Sequence, residues 1–509
     1  MESRTSNVIN NSIARLFQRF SNIIIQFILR TIFIFYLGKE YTGISGLFTD
    51  ILNVLSLMEI GLDSSMIYSL YKPLVENNEI RIKKLLNFYK KAFNIIGIVV
   101  LTIGFLLIPF LDNIVNNVPE IKEDIRIIFA FYVVTAASSY FFIYRSVLLN
   151  ADQKSKIISK WRTLVNLCET LIAVILVILF KNFILYLIVH LLASIINNII
   201  ISKITTNMYP SYFDKNNYQI SKEETIKILK DILCLTAYSF SGVIINSTDS
   251  IFISYFIGTV QVGIIGNFTL IVNSIRTVVS QIVEVTKPSI GNLAATRNKD
   301  YQEIIFTRMN FISFYISVIC CSGLYNLLNN FIGDIWLNQS FKISQYIIGL
   351  MVLNLYIAIM VYPVESFRTA NGLFIQGWLR PIIMAILNIV LDFFMGSKWG
   401  ISGIFLATTI SRVVTQVWYD PLLVYKLVFK KNCREFLFDY FIKLFITAII
   451  CIGTNLVTER IINSTSILAF ISKAILTVLF SNIIIFVIYK NNENYKYLIG
   501  FIKNKILKF

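Results

Sequence analysis

The chain has one histidine and six cysteines in 509 residues, and only 15% of its residues carry charge. Each scarcity excludes something. With His190 as the sole imidazole, no centre built on several histidines can form. Cys168, Cys234, Cys320, Cys321, Cys433 and Cys451 make no CxxC and lie mostly in or beside apolar runs. They read as small buried apolar residues, not as disulfides or metal ligands. No GxxxxGK[ST] phosphate loop is present, so the chain does not hydrolyse ATP itself. No stretch between the apolar runs is long enough to hold a soluble domain. The largest external loops, 111–124 and 331–342, leave no room for a catalytic ectodomain.

Hydrophobic residues make up 56% of the chain, in runs of about 20 residues or more, enough to cross roughly 30 Å of hydrocarbon. The predicted fold class is an all-α polytopic membrane protein of about fourteen helices. The spans fall near 13–37, 44–70, 92–111, 125–149, 163–180, 183–202, 232–257, 263–286, 304–328, 345–367, 379–396, 402–424, 438–457 and 465–489. The polar start MESRTSNVINN leads straight into the first span, and no removable signal peptide is expected.

A net charge of +17 would suggest nucleic acid in a soluble protein. Here the basic residues collect in alternate loops. Lys39, Lys122, Lys181, Lys342, Lys398 and Arg460 stand alone in the odd connections, whereas 71–91, 154–162, 203–230, 287–299, 426–434 and the tail are rich in lysine and arginine. Orientation explains the charge, and no nucleic acid is expected. By the positive-inside rule both termini are cytoplasmic.

The first span carries Arg15, Arg19, Asn22, Gln26 and Arg30 on an otherwise apolar helix. At about 100° per residue they fall in one narrow sector. A charge at mid-bilayer depth costs about 2.5 to over 10 kcal/mol, so this stripe should face protein or water. A hinge follows: Gly38, Gly43, Gly46, Phe48, Thr49 and Asn53. The same residues recur, without a gap, as Gly258, Gly263, Gly266, Phe268, Thr269 and Asn273. The stripe moves with them, with Ser239, Gly242, Asn246 and Ser250 in the places of Arg19, Asn22, Gln26 and Arg30. Two related halves follow: an N-lobe at 1–203, a C-lobe at 231–426, and a cytoplasmic linker at 204–230 between them. Residues 427–509 add a helix pair and a basic tail. Ser221 with Glu224 forms a capping box that starts an amphipathic helix in the linker.

Intramembrane charge marks the candidate site. Glu59 and Asp63 lie one turn apart on the second span, Asp249 is on the seventh, and Arg276 lies with Glu284 close by on the eighth. Glu365, Arg368, Asp392, Arg412 and Asp420 follow on later spans. Arg15, Arg19, Asn22, Gln26, Arg30, Asn246 and Arg276 are the candidate substrate-binding residues, and Glu59, Asp63, Asp249 and Glu284 the candidates for ion coupling or gating. Snorkelling to the interface is the alternative for Arg15, Arg19, Arg145, Arg308 and Arg368. An internal ion pair is the alternative for Arg30, Asp249 and Arg276. His190 reads either as a satisfied interface histidine or as a ligand or proton relay.

YLGKEYTGISGLFTDILNVLSLMEIGL (36–62), YRSVLLNADQK (144–154) and FRTANGL (367–373), followed by GISG at Gly400, resemble motifs of bacterial polysaccharide transporters. These are the Wzx-type flippases of the multidrug/oligosaccharidyl-lipid/polysaccharide exporter superfamily. The resemblance spans essentially the whole chain. It implies two six-helix lobes around a central cavity, alternating access, and an undecaprenyl-diphosphate-linked oligosaccharide as substrate in the bacterial plasma membrane. It also implies basic residues of the first helix at the diphosphate, here Arg15, Arg19 and Arg30. Membrane lipids, and the polymerase and glycosyltransferases of the pathway, are the implied partners. No cofactor is expected beyond a coupling ion, H+ or Na+, and no metal site. The competing readings are a cation-coupled drug antiporter, which would want an acidic cavity, and a membrane enzyme, which would want a sizeable outer loop.

Overall fold

The computed structural model describes residues 4–115, 119–214, 218–284, 290–291, 293, 298–373, 375–462 and 464–506, and among them there is no strand. Lipid offers the backbone no hydrogen-bond partners, so apolar runs of this length close their own bonds as helices. Among the described residues, eleven helices are long and apolar enough to cross a membrane.

Contacts divide the chain into two units, Met1–Ile264 and Ile265–Phe509. In the first unit α1 is Arg4–Tyr36, α2 Lys39–Leu55, α3 Leu57–Val75, α4 Glu79–Leu107, α5 Ile125–Ala151, α6 Ser155–Phe180, α7 Phe183–Met208 and α8 Lys222–Phe256. Asn78, Asp124, Asn182 and Ser221 cap the N-termini of α4, α5, α7 and α8 with their side chains. α1 packs along α6, α4 and α7 along α5, and α3 along α8. Tyr89, Phe93, Tyr140 and Val147 centre an apolar core where α3, α4, α5 and the start of α8 meet.

α9 (Thr259–Glu284) has its first turns, through Ile264, in the first unit; the second unit goes on with α10 (Lys299–Asn330), α11 (Gln345–Ala370), α12 (Leu379–Arg412), α13 (Arg434–Ile461), α14 (Ile467–Tyr489) and α15 (Glu493–Ile506). α10 carries a buried polar seam that holds the C-terminal helix pair. Asn326 donates to Thr454 at 2.8 Å, Ser481 to Ser322 at 3.0 Å, and Lys443 and Lys473 reach Asn310 and Asn330 at 3.4 and 3.3 Å. Phe306, Phe367, Tyr425, Phe429 and Phe436 cluster beside it.

Two expectations change in detail. The second span is broken at Ser56 into α2 and α3. The linker helix runs unbroken into the seventh span as α8, opened by the Ser221 cap. The eleventh and twelfth spans stay two helical arms of α12: the backbone leaves helical geometry at Gly400 (φ 58°) and the second arm folds back along the first, bringing Thr408 to Asn388 and Asp420 to Arg380, before π turns continue it to Phe429. Gly403 belongs to that bend, because a Cβ there would stand 2.0 Å from the Met395 carbonyl oxygen.

The repeated hinge is one conformation used twice. α1 ends at Tyr36 and α2 starts at Lys39, and α8 ends at Phe256 and α9 starts at Thr259, each boundary displaced by the same 220 residues. Gly38 (φ 113°) and Gly258 (φ 129°) turn the two corners. Leu37 and Gly38 both donate to the Phe33 carbonyl at 2.9 Å, and Ile257 and Gly258 both donate to Ile253 at 3.0 Å. The positive φ is why glycine stands at both places.

Candidate substrate site

The stripe on α1 is divided by depth. Arg15, Arg19 and Gln26 are exposed, while Asn22 and Arg30 are half-buried. Asn22 accepts a hydrogen bond from Asn166 on α6 at 3.3 Å. Arg162 lies one turn before Asn166 and Glu169 one turn after, so α6 shows a polar stripe of its own. Glu169 meets Nδ1 of His190, on α7, at 2.6 Å. The Tyr186 ring lies nearly parallel over His190, with centroids 5.8 Å apart.

Glu59 and Asp63 share the electrostatic field of Arg162. Glu59 also accepts a hydrogen bond from Tyr140 on α5, and Tyr140 in turn bonds Ser56 at the α2–α3 break. A second carboxylate, Asp50 on α2, accepts from Ser247 and Ser250 on α8 and from Asn53. Asp249 lies half-buried between those serines in sequence, and Asn246 is exposed, donating to the Gly242 carbonyl at 2.5 Å.

Gly43 and Gly263, equivalent positions of the two hinges, face each other. A Cβ on Gly43 would stand 2.2 Å from the Thr259 carbonyl oxygen, and one on Gly263 would stand 2.7 Å from that of Lys39. The Arg30 guanidinium is tied to this crossing by a 3.0 Å bond to the Gly263 carbonyl.

The second unit holds its own charged cluster. Asp420 receives Arg368 at 2.7 Å and Arg380 at 3.0 Å, all three buried. Glu365 feels both arginines and Arg276, and accepts from Gln416 at 3.4 Å. Further along α12, Asn388 donates to Asp392 at 3.3 Å and Thr408 lies 3.4 Å from Asn388, with Asn388 and Asp392 fully buried. Asn388 Oδ1 has no hydrogen-bond partner among the described residues. The Asn388 amide nitrogen, not its oxygen, faces the Asp392 carboxylate and the Thr408 hydroxyl, so the three side chains form a buried hydrogen-bonded network. Among the described residues, no group of three His, Cys, Asp or Glu side chains could hold a metal ion. The Glu284 side chain lies outside the described residues.

The sequence reading missed Arg162, Asp50, Glu169 and Arg380. Arg162 reads as part of a basic loop, although its spacing to Asn166 and Glu169 in WRTLVNLCET places all three on one helical face. No local signal marks Asp50 or Arg380. Asp50 meets α8 from about 200 positions away, and Arg380 and Asp420 stand on opposite sides of the α12 bend.

The profile of the family described as Polysaccharide biosynthesis protein matches residues 8–294, more than half of the chain. The chain belongs to that family. Its fold is that of the superfamily expected from the motifs. A solved lipid II flippase MurJ, in an inward closed conformation, is 16% identical with a TM-score of 0.68, over 95% of this chain and 99% of that one. An inward-facing multidrug resistance MATE transporter of the MOP superfamily is 13% identical with a TM-score of 0.53, over 80% and 97%. The Vibrio cholerae MATE transporter VcmN, in a bent form, is 13% identical with a TM-score of 0.51, over 81% and 95%. A search of curated proteins finds no match. The chain is thus a multi-pass, all-α membrane protein of the polysaccharide biosynthesis family with a MurJ- and MATE-like fold.

Proposed function

We propose that this chain is a flippase. It carries an undecaprenyl-diphosphate-linked oligosaccharide repeat from the inner to the outer leaflet of a bacterial plasma membrane by alternating access, with both termini in the cytoplasm. The observation that carries this reading is the α1 stripe, in which Arg15 and Arg19 stand exposed on the helix that also bears Asn22, Gln26 and Arg30. Guanidinium groups bind phosphate oxygens bidentately, and the neutral amides suit sugar hydroxyls. The Glu59 and Asp63 pair is not a purely acidic cation site, because both carboxylates share the field of Arg162. The family match and the MurJ-like fold agree with this substrate class.

The coupling ion, H+ or Na+, exchanges at a buried carboxylate, and Asp392, fully buried and hydrogen-bonded to Asn388, is a candidate beside Glu59, Asp63 and Asp249. The polymerase and glycosyltransferases of the same pathway supply and consume the substrate. Reconstitution tests the whole reading. Full-length protein in proteoliposomes should move a fluorescent undecaprenyl-diphosphate oligosaccharide to the leaflet where an added glycosidase reaches it. Replacing the sodium gradient with a proton gradient distinguishes the two ions. Export of a small organic cation with no movement of the lipid-linked sugar would overturn the flippase reading in favour of a drug antiporter.

A further inference from the structure

The chain's only histidine is unused by the site described so far. His190 lies seven residues into α7, about 10 Å along the helix, and α6 and α7 are both apolar enough to span the membrane. Its Nδ1 meets Glu169 Oε1 at 2.6 Å, with the carboxylate side chain 12% exposed and the imidazole 37% exposed. A carboxylate held inside a span is costly unless it is paired or protonated. An imidazole alongside it is the side chain whose charge changes near neutral pH.

Two contacts join this pair to α1. On the Glu169 side, Asn166, one turn earlier on α6, donates to Asn22. On the His190 side, Tyr186 stacks on the imidazole and meets the edge of Phe33, with centroids 4.6 Å apart. Gln26, on the stripe, lies between Asn22 and Phe33 on α1. We propose that Glu169 and His190 form a proton-binding site whose occupancy sets the seat of α1. With one proton bound the pair is imidazolium and carboxylate, with no net charge. Loss of that proton from Nδ1 leaves a single negative charge between α6 and α7, and the cost falls on the contacts to α1. The other titratable groups near the pair are the phenols of Tyr186 on α7 and Tyr132 on α5. The charged residues on the helices packed against the pair include Arg162 on α6, Arg145 on α5, which bonds Ser202 of α7, and Arg15, Arg19 and Arg30 on α1. Arginine holds its charge across the whole range.

The proposal deepens the flippase reading and rests on it only for the consequence on flux. The experiment therefore reads α1 without substrate. A nitroxide is attached through Gln26→Cys in full-length protein, in a Cys168→Ser background, and the spectrum of the same chain lacking Gln26→Cys is subtracted. The expected result is a change in nitroxide mobility between pH 8 and about pH 5.5, abolished by His190→Gln and by Glu169→Gln. A spectrum unchanged with pH, or a change that survives His190→Gln, overturns the proposal. In proteoliposomes driven by a sodium gradient alone, the ratio of flux at the two pH values should move toward one in both variants. Absence of flux alone would count against the flippase reading and not against the proton site.

Discussion

Arg30 donates from Nη2 to the carbonyl oxygen of Gly263 at 3.0 Å, joining the deepest cation of α1 to the first turns of α9. The acceptor is one half of a glycine pair in which two equivalent hinge positions face each other. The arginine thus has a structural duty besides any contact with substrate. Hydrogen bonds to charged groups contribute about 1.5–3 kcal/mol. Arg30→Ala should abolish or nearly abolish flipping while the protein still inserts, and Arg30→Lys should recover part of it. Thermal unfolding beside the flux assay separates the duties. If Arg30→Ala lowers the melting temperature but leaves the rate per folded molecule at the wild-type value, Arg30 is a strut and not a ligand.

The glycine crossing makes a cleaner stability comparison. Gly43→Ala would place a methyl 2.2 Å from a backbone carbonyl oxygen, whereas at Gly46 a Cβ meets only the Val262 Cγ1, at 3.6 Å. Overpacking of this kind costs about 1–3 kcal/mol. Gly43→Ala should lower the thermal midpoint clearly, with Gly46→Ala close to wild type. Equal midpoints would show that the crossing gives way without cost.

The Asp420 clasp lies at the junction of α11 and α12. Arg368 and Arg380 converge on one carboxylate that is 1% exposed. Removing one partner of a buried ion pair costs about 3–5 kcal/mol, because it strands the opposite charge. Asp420→Asn should therefore reduce membrane abundance and thermal stability sharply. The double change with Arg380→Gln should recover some of the loss. A stable single variant would mean that solvent or lipid already compensates the arginines.

What could be read from the sequence follows from how far apart the interacting residues lie. The corners at Gly38 and Gly258 were visible because a positive φ needs glycine, and because six identities recur in register. The α1 stripe was visible because helical periodicity is a local property. The break at Ser56 was not, since no glycine or proline stands there and α2 and α3 read as one apolar run. Pairings such as Asn22 with Asn166 or Asp50 with Ser247 span well over a hundred residues. They are decided by which helix packs on which. Composition carries no record of that.

The linker offers a prediction in pH. The linker is held against the start of α4 at Glu224, which pairs with Arg81 at 2.6 Å, at Asp214, which pairs with Lys83 at 2.8 Å, and at the Tyr218 carbonyl, which accepts from Asn87 at 3.4 Å. The hydrogen bond from Arg81 holds the Glu224 carboxyl below its ordinary value. A depressed carboxyl contributes its stabilisation in full above its unfolded value, about 4.3, and loses it as pH falls through the lowered value. Linker docking should therefore be flat from about pH 8 to pH 5 and weaken only below about pH 4. Both partners of the Arg81 pair are substantially exposed, so the effect on global stability is small and the readout must be local. Glu224→Gln should reproduce the acid form at neutral pH. Trypsin at pH 7.5 should then cut at Lys222 and Lys230 faster than in wild type, with no change in the thermal midpoint of the membrane helices. Equal cleavage rates would show that the apolar contacts of Phe213 and Ile220 with the core of the first unit hold the linker without the ion pair.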